Sequence, residues 1–370
     1  NDAKRLLADP EIDIVVELMG GIHPAKEFML EAIRNGKHVV TANKALLATE
    51  GAEVFEAAAA RGVSVGFEAS VAGGIPIIKV LREGLIANRI LSVYGIINGT
   101  ANYILTKMTD EGADFGSALA EAQRLGYAEA DPTFDIEGID AQHKLTLLAS
   151  LAYGIPLSFG SIHTEGITHI DPLDISFAAE LGYKIKLLAI AKLTDGAVEL
   201  RLHPTMVPRG HLISQVDGVF NAVFVRGDAV GDTLYYGRGA GDLPTASAVV
   251  ADIAEIAGRI VSGAPAPRSP IGTSTLRIKA VEEVSSMYYF RFQVLDRPGV
   301  LSKISGIFGA NNISIASVIQ KGRKADAVVP LVILSHTALE RDIRAALVAI
   351  EALDVVTGPT ALIRVEGEES

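Results

Sequence analysis

The sequence predicts a three-part α/β chain: an incomplete parallel sheet layered with helices, an α+β middle region with an open sheet, and a C-terminal βαββαβ unit. Three observations predict it. Short apolar runs alternate with helical patterns from Ile12 to Phe67. Longer alternating apolar runs, at Lys184–Lys192, Val198–Val207 and Gly218–Val225, follow one another as an open, mostly antiparallel sheet would. Past Pro265, Pro267 and Pro270, the apolar patterns run in the order strand, helix, strand, strand, helix, strand.

In the first region, residues 1–67, Ile12 to Leu18 reads as a buried strand and Met19-Gly20-Gly21 as the turn after it. Pro24 opens a helix, since the N–H it lacks is one the first turn leaves unused, and Gly36 ends it as the residue after the cap. Lys37 to Thr41 is the next strand. Asn43 or Thr41 then starts an alanine-rich helix to Arg61, and Val63 to Phe67 is a further strand. Alternation of this kind implies a doubly wound parallel sheet, which binds ligands at the carboxyl ends of its strands. Gly20, Gly21, Thr41 and Lys44 lie at such ends. A dinucleotide-binding sheet opens with a Gly-x-Gly-x-x-Gly turn, and no such turn lies before Ile12. The expectation is therefore a truncated Rossmann-type sheet, whose opening unit precedes Asn1 in the full protein. The residue that would choose between NAD and NADP belongs to that opening unit.

Phe67 to Ile78 joins this region to the middle one, residues 68–236. It carries a single acid, Glu68, among small and apolar residues, which would let backbone carbonyls converge on a hard cation. Arg89 to Ile97 reads as a strand, and Asn98-Gly99-Thr100 as a turn and N-cap. The segment Gly126 to Lys144 is the most informative of the chain. It sets Glu129, Asp131, Asp135, Glu137 and Asp140 in one run before Lys144. Asp135 is expected to cap a helix in which Ile136, Ile139, His143, Leu147 and Leu151 share a face. Asp140 and Lys144 then project one turn apart. A solvated pair of this sort contributes little, but Leu145 to Ala152 is uncharged, so the helix is expected to be buried and its charged end to need partners or a function. Carboxylates facing a lysine suit a small zwitterion: the acids hold its ammonium group and the lysine works on a nearby oxygen.

Tyr236 to Ala246 is a second glycine-rich entry into a helix, running from Thr245 to Ile260, and Gly239 and Gly241 let backbone amides approach a ligand closely. Residues 263–285 read as a linker and 286–367 as a separate module. In that module Gly299 opens a helix whose free amides can take a carboxylate, and Asn311 or Asn312 can grip an amino acid's polar groups.

Composition excludes several classes. A net charge of −11 and the lack of any basic run argue against nucleic acid. No apolar stretch reaches bilayer length and no signal peptide is legible, so a cytoplasmic enzyme is expected. With no cysteine there is no disulfide, thiolate metal site or thiol nucleophile.

The Gly-Tyr-Ala-Glu-Ala-Asp-Pro loop and the helix after it resemble the substrate loop and catalytic helix of the homoserine dehydrogenases. The resemblance extends to Thr41-Ala42-Asn43-Lys44, to Asn98-Gly99-Thr100-Ala101-Asn102 and to the Gly239–Gly241 turn. It implies Lys144 as proton donor with Asp140 beside it, and Glu129, Asp135, Asp140 and Lys44 at the substrate. It further implies NADP or NAD near Gly20, Gly21, Thr41, Lys44, Gly126, Gly239 and Gly241, with residues 237–262 returning to complete the first sheet. A monovalent cation, sodium or potassium, would be held by Glu68, Val71, Gly73 and Ile75, and Lys184 would face the same site. Asp296-Arg297-Pro298-Gly299 with Asn311-Asn312 resembles the ACT domain, which implies L-threonine as effector at Gly299, Asn311 and Asn312, or a pure dimerisation role. A homodimer or homotetramer is implied. The lack of cysteine excludes the neighbouring aspartate-semialdehyde dehydrogenases, whose thioester chemistry needs one. A non-catalytic amino-acid-binding regulator and another amino-acid dehydrogenase remain as alternatives.

Overall fold

The computed structural model describes residues 3–267, 269, 271–321 and 327–366, so Pro270 and the outermost ends of the first and last regions lie outside the described residues. The chain opens with α1 (Ala3–Ala8), β1 (Ile14–Glu17), α2 (Ala25–Arg34), β2 (His38–Thr41), α3 (Lys44–Arg61) and β3 (Val65–Gly66). The strands form a parallel sheet in the order β1-β2-β3, with Val16 opposite Val40 and Val39 opposite Val65. Local chemistry sets the helix ends as expected. Asn43 caps α3 through Leu46 N–H at 3.2 Å, and Gly62 closes it in the left-handed region.

The middle region runs through a short helix α4 (Ile77–Lys79), β4 (Ile90–Ile96), α5 (Gly99–Glu111), α6 (Phe115–Arg124), α7 (Thr133–Ile136) and α8 (Ile139–Tyr153). It continues with β5 (His163–Thr164), α9 (Pro172–Glu180), β6 (Tyr183–Thr194), β7 (Ala197–Pro208), β8 (Phe220–Gly227), β9 (Gly231–Arg238) and α10 (Asp242–Ser262). Helices α6 and α9 and strand β9 have no counterpart in the sequence reading. The aspartates that cap the two helices, Asp114 and Asp171, were the available signal. One expectation is corrected. Asp135 does not cap the long helix: it lies inside α7, and α8 begins only after Gly138, whose φ of +83° turns the chain.

The last elements are β10 (Ser285–Leu295), α11 (Val300–Ala310), β11 (Ile315–Gln320), β12 (Val328–Ser335), β13 (Ala338–Leu339), α12 (Glu340–Glu351) and β14 (Ala361–Val365). Their βαββαβ order is as expected, but the module is not separate. Strand β14 pairs in parallel with β7, Arg364 opposite Thr205 and Val365 opposite Met206. One mixed sheet results, in the order β11-β12-β10-β14-β7-β6-β4-β8-β9, with β13 beside β10 and β5 beside β7. The linker is docked too: Val198 N–H on β7 donates to Arg277 O, and Lys279 N–H donates back to Val198 O. Buried charges seal the seam. Arg201 meets Glu366 at 2.6 Å, Arg364 meets Glu340 at 2.6 Å and Glu165 at 3.0 Å, and Asp174 on α9 takes Arg291 at 2.6 Å.

Candidate active site

Helix α8 is apolar nearly all round, and Leu145, Leu147 and Leu148 are fully buried. It thereby carries Asp140 and Lys144 into the protein, with 5% and 8% of their surfaces exposed. Lys144 Nζ donates to Asp140 Oδ2 at 2.7 Å and to Ile97 O at 2.8 Å, at the end of β4. Lys44, at the start of α3, reaches the other carboxylate oxygen at 3.1 Å. Asn98 completes the shell: its Nδ2 donates to Asp140 Oδ2 at 2.9 Å and to Asp135 Oδ1 at 2.7 Å, while its Oδ1 caps α5 through Ala101 N–H. Three separate segments thus converge on one carboxylate.

Electrostatics follow from that packing. Burial favours the neutral form of Asp140, but Lys144, Lys44 and the hydrogen bonds overcome it and hold its carboxyl down at about 2. Burial pushes the Asp135 carboxyl up from its ordinary range, against the Asn98 hydrogen bond. His143 stacks on Phe159 with ring centres 4.6 Å apart, and burial pushes its pKa down. Lys44 also lies 6.0 Å from the centre of the Phe134 ring.

The structure treats the remaining expected residues unequally. Glu129 is exposed on its loop, where its backbone carbonyl accepts from Gln123, and Gly126 turns that loop with φ +76°. Thr41 is fully buried at the end of β2, where it donates to Glu17 Oε2 at 2.7 Å and accepts from Asn43 N–H. Asn43 Nδ2 donates to Gly21 O at 2.6 Å, tying the two strand ends together. Gly20 and Gly21 both have left-handed backbones, and a Cβ on either would face open space. Gly239 is dictated by packing: a Cβ there would sit 1.9 Å from Asn221 Nδ2, and its carbonyl would be 2.7 Å from a Cβ on Gly73. Gly241, at φ +115°, precedes α10.

Three placements differ from expectation. The Glu68 carboxylate is not an open anion: it accepts from the amides of Ile78 and Lys79 at 2.8 and 3.0 Å, and burial pushes it up to about 7 against those bonds. Lys184 pairs with Asp217 at 3.1 Å, beside buried Lys186 at 2.7 Å. In the strand alternation it shares its face with Leu188 and Ile190, whereas the side chains of α8 pack on the opposite face. Within one chain Gly299 and Asn311–Asn312 do not form one site, because they flank opposite ends of the 11-residue α11, about 18 Å apart at helical rise. Asn311 instead caps that helix by donating to Ile307 O at 2.9 Å, and Asn312 turns the chain at φ +59°. Asn43, Asn98 and Glu17 are polar residues at the cleft that the sequence reading left out of the site, although Asn43 and Asn98 were both legible as helix caps.

A parallel nucleotide-binding sheet whose strand ends face a buried lysine–carboxylate–lysine cluster defines a nicotinamide-dependent dehydrogenase. Comparison with known proteins narrows the class. Residues 76–254 match the homoserine dehydrogenase family model, residues 1–68 its NAD-binding domain and residues 288–355 the ACT domain. The homoserine dehydrogenase of Neisseria gonorrhoeae is 52% identical over 371 residues, 99% of this chain and 85% of that protein. That of Pseudomonas aeruginosa is 53% identical over 365 residues, 97% of this chain and 84% of that protein. The crystal structure of a homoserine dehydrogenase from Thiobacillus denitrificans superposes with a TM-score of 0.94 at 53% identity, covering 99% of this chain and 84% of that one. A hyperthermophilic archaeal homoserine dehydrogenase in complex with NADPH matches with a TM-score of 0.60 at 29% identity, over 70% of this chain and 76% of that one. The chain belongs to the homoserine dehydrogenase family. Among the described residues, no helix is long and apolar enough to cross a membrane.

Proposed function

We propose that this oxidoreductase interconverts L-homoserine and L-aspartate 4-semialdehyde, in the cytoplasm, on the route to threonine, methionine and isoleucine. The observation that supports this most is Asp140, buried between Lys144 and Lys44. The nicotinamide cofactor supplies or accepts the hydride when bound. Gly20, Gly21, Thr41 and Lys44, with Gly126, Gly239 and Gly241, would hold it. The open space before Gly20 and Gly21 fits that role. The archaeal relative's NADPH favours NADP over NAD.

Lys144 has three N–H donors. Two go to Asp140 and Ile97, and the third would serve the substrate oxygen, to which Lys144 gives a proton as the alkoxide forms. Asp140, ionised at neutral pH, holds both lysines in place. Asp135 and Glu129 take the substrate ammonium, Glu129 from its exposed loop. Oxygen donors alone, from the backbone of Glu68, Val71, Gly73 and Ile75, suit sodium or potassium. Ala72 and Gly73, with φ of 54° and 45°, give that segment a tight turn. Since the Glu68 side chain is engaged as a cap, its carbonyl is the group it would offer. Residues 1–67 with 237–262 act as the nucleotide-binding unit, 68–236 as the substrate unit and 286–367 as an effector module for L-threonine, in a homodimer or homotetramer.

The test is direct. The purified protein should reduce NADP or NAD only when L-homoserine is supplied, and oxidise the reduced cofactor with L-aspartate 4-semialdehyde. Binding of L-homoserine without turnover of either nucleotide would favour the regulatory-protein alternative.

A further inference from the structure

From the end of β5 into the first turn of α9 the chain makes a strap, residues 165–174, that touches both the C-terminal module and the candidate site. Its first end is held by Glu165, whose Oε2 accepts from Arg364 on β14 at 3.0 Å and whose Oε1 pairs with His163 at 2.7 Å. Arg364 is itself 1% exposed and cannot move without breaking its contact with Glu340. The second end is held by Asp174, fully buried, which accepts from Tyr289 at 2.9 Å and from Arg291 at 2.6 and 2.8 Å, both on β10. Two strands of the module therefore clamp the strap at both ends.

Its middle grips α7. Ile167 N–H donates to Ile136 O at 2.8 Å, and Thr168 Oγ1 donates to Glu137 Oε1 at 3.2 Å. Gly166 is pressed so close that a Cβ there would lie 2.4 Å from Ile136 O and 2.7 Å from Glu137 Cα. Asp135 immediately precedes this gripped residue, and its carboxylate shares the Asn98 amide with Asp140. The contact chain runs without a gap from β14 through Arg364, Glu165, Gly166 and Ile136 to Asp135.

We propose that this strap sets the position of Asp135 from the C-terminal module, with Glu165 as the positioning residue that joins the two. The inference rests on the reading of Asp135 as a substrate contact. Close packing transmits a shift at β14 to α7 because neither Gly166 nor Ile136 has room to absorb it. Glu165 makes no contact with Asp140 or Lys144, so it acts on substrate placement and not on proton transfer.

The experiment compares Glu165→Gln, Gly166→Ala and Asp135→Asn in the full chain. Glu165→Gln keeps the side chain's size, and buried Arg364 keeps Glu340 at 2.6 Å as its remaining carboxylate. It should raise the KM for L-homoserine on the order of 2–30-fold, the range for residues that act through neighbours, with kcat and the cofactor KM unchanged. Gly166→Ala, which pushes on Ile136 directly, should move the same constant in the same direction. An unchanged homoserine KM in Glu165→Gln, alongside a raised one in Asp135→Asn, overturns the strap and leaves the site reading standing. A fall in kcat and cofactor affinity together with thermal stability marks Glu165 as merely structural and also overturns it. An unchanged KM in Asp135→Asn overturns both the strap and the substrate role on which it rests.

Discussion

Replacing Asp140 by Asn tests whether one buried carboxylate organises the site. The side chain stays the same size, but the charge that Lys144 and Lys44 share is removed. The Asp140 carboxyl is held at about 2 instead of 3.8. A depressed folded-state value means stability that is fully present above the unfolded value and is lost as pH falls toward 2. Nearly two units at ~1.36 kcal/mol each give roughly 2 kcal/mol at neutral pH. Asn also leaves buried Lys144 without its counter-charge, and breaking a buried pair costs about 3–5 kcal/mol. Urea unfolding followed by circular dichroism at pH 7 should show a loss within this range, and the gap to the wild type should narrow as pH drops below about 4, where unfolded carboxyls protonate. Because Asp140 also orients Lys144, kcat should fall by about 10²-fold, the cost of displacing a catalytic group by ~1 Å. An Asp140→Asn protein with wild-type stability, kcat and homoserine KM would refute the reasoning.

Further outcomes follow from the same geometry. Lys144→Ala should lower kcat by about 10²–10⁴-fold, the usual loss for a proton-transfer group, while fluorescence titration shows cofactor binding intact; near-normal turnover would remove Lys144 from the mechanism. Glu129→Gln should weaken homoserine binding by roughly 1.5–3 kcal/mol, one charge-assisted hydrogen bond, and an unchanged KM would take Glu129 out of the ammonium site. Burial, with Arg364 and Arg201 alongside, pushes His203 well below its ordinary value, so below about pH 6.5 the unfolded chain binds a proton that the folded one refuses. Stability should therefore decline as pH falls through that region, and the decline should be shallower in His203→Gln by thermal melts across pH. Gly299→Trp should abolish threonine inhibition with basal activity kept: a Cβ there meets no atom within 4 Å, and the cost is the strain of a side chain at φ +90°, about 1–3 kcal/mol, which a thermal melt reads separately; persistent inhibition in initial-rate assays would place the effector elsewhere. This variant is the better probe of the module, since ending the chain near Pro267 would uncover β7 and strip Glu366 from Arg201 and Arg291 from Asp174.

What the sequence by itself determined is local. Asp140 and Lys144 meet because residues four apart on a helix must share a face, and the uncharged run after them puts that face inside. Asn43 and Asn98 cap α3 and α5, and Gly36 turns the chain after α2, for reasons contained within a few residues. The βαββαβ order of the last region was legible for the same reason, since strand and helix periods differ within a single element. Only the tertiary structure decided that Lys44 joins Asp140, that Asn221 dictates Gly239, and that Gly299 stands a helix length from Asn311. It alone decided that β14 lies against β7, making one sheet of two expected domains. A strand edge offers the same N–H and C=O groups to any partner, and an arginine such as Arg364 is stable in the interior only once Glu340 and Glu165 arrive from distant segments to meet it.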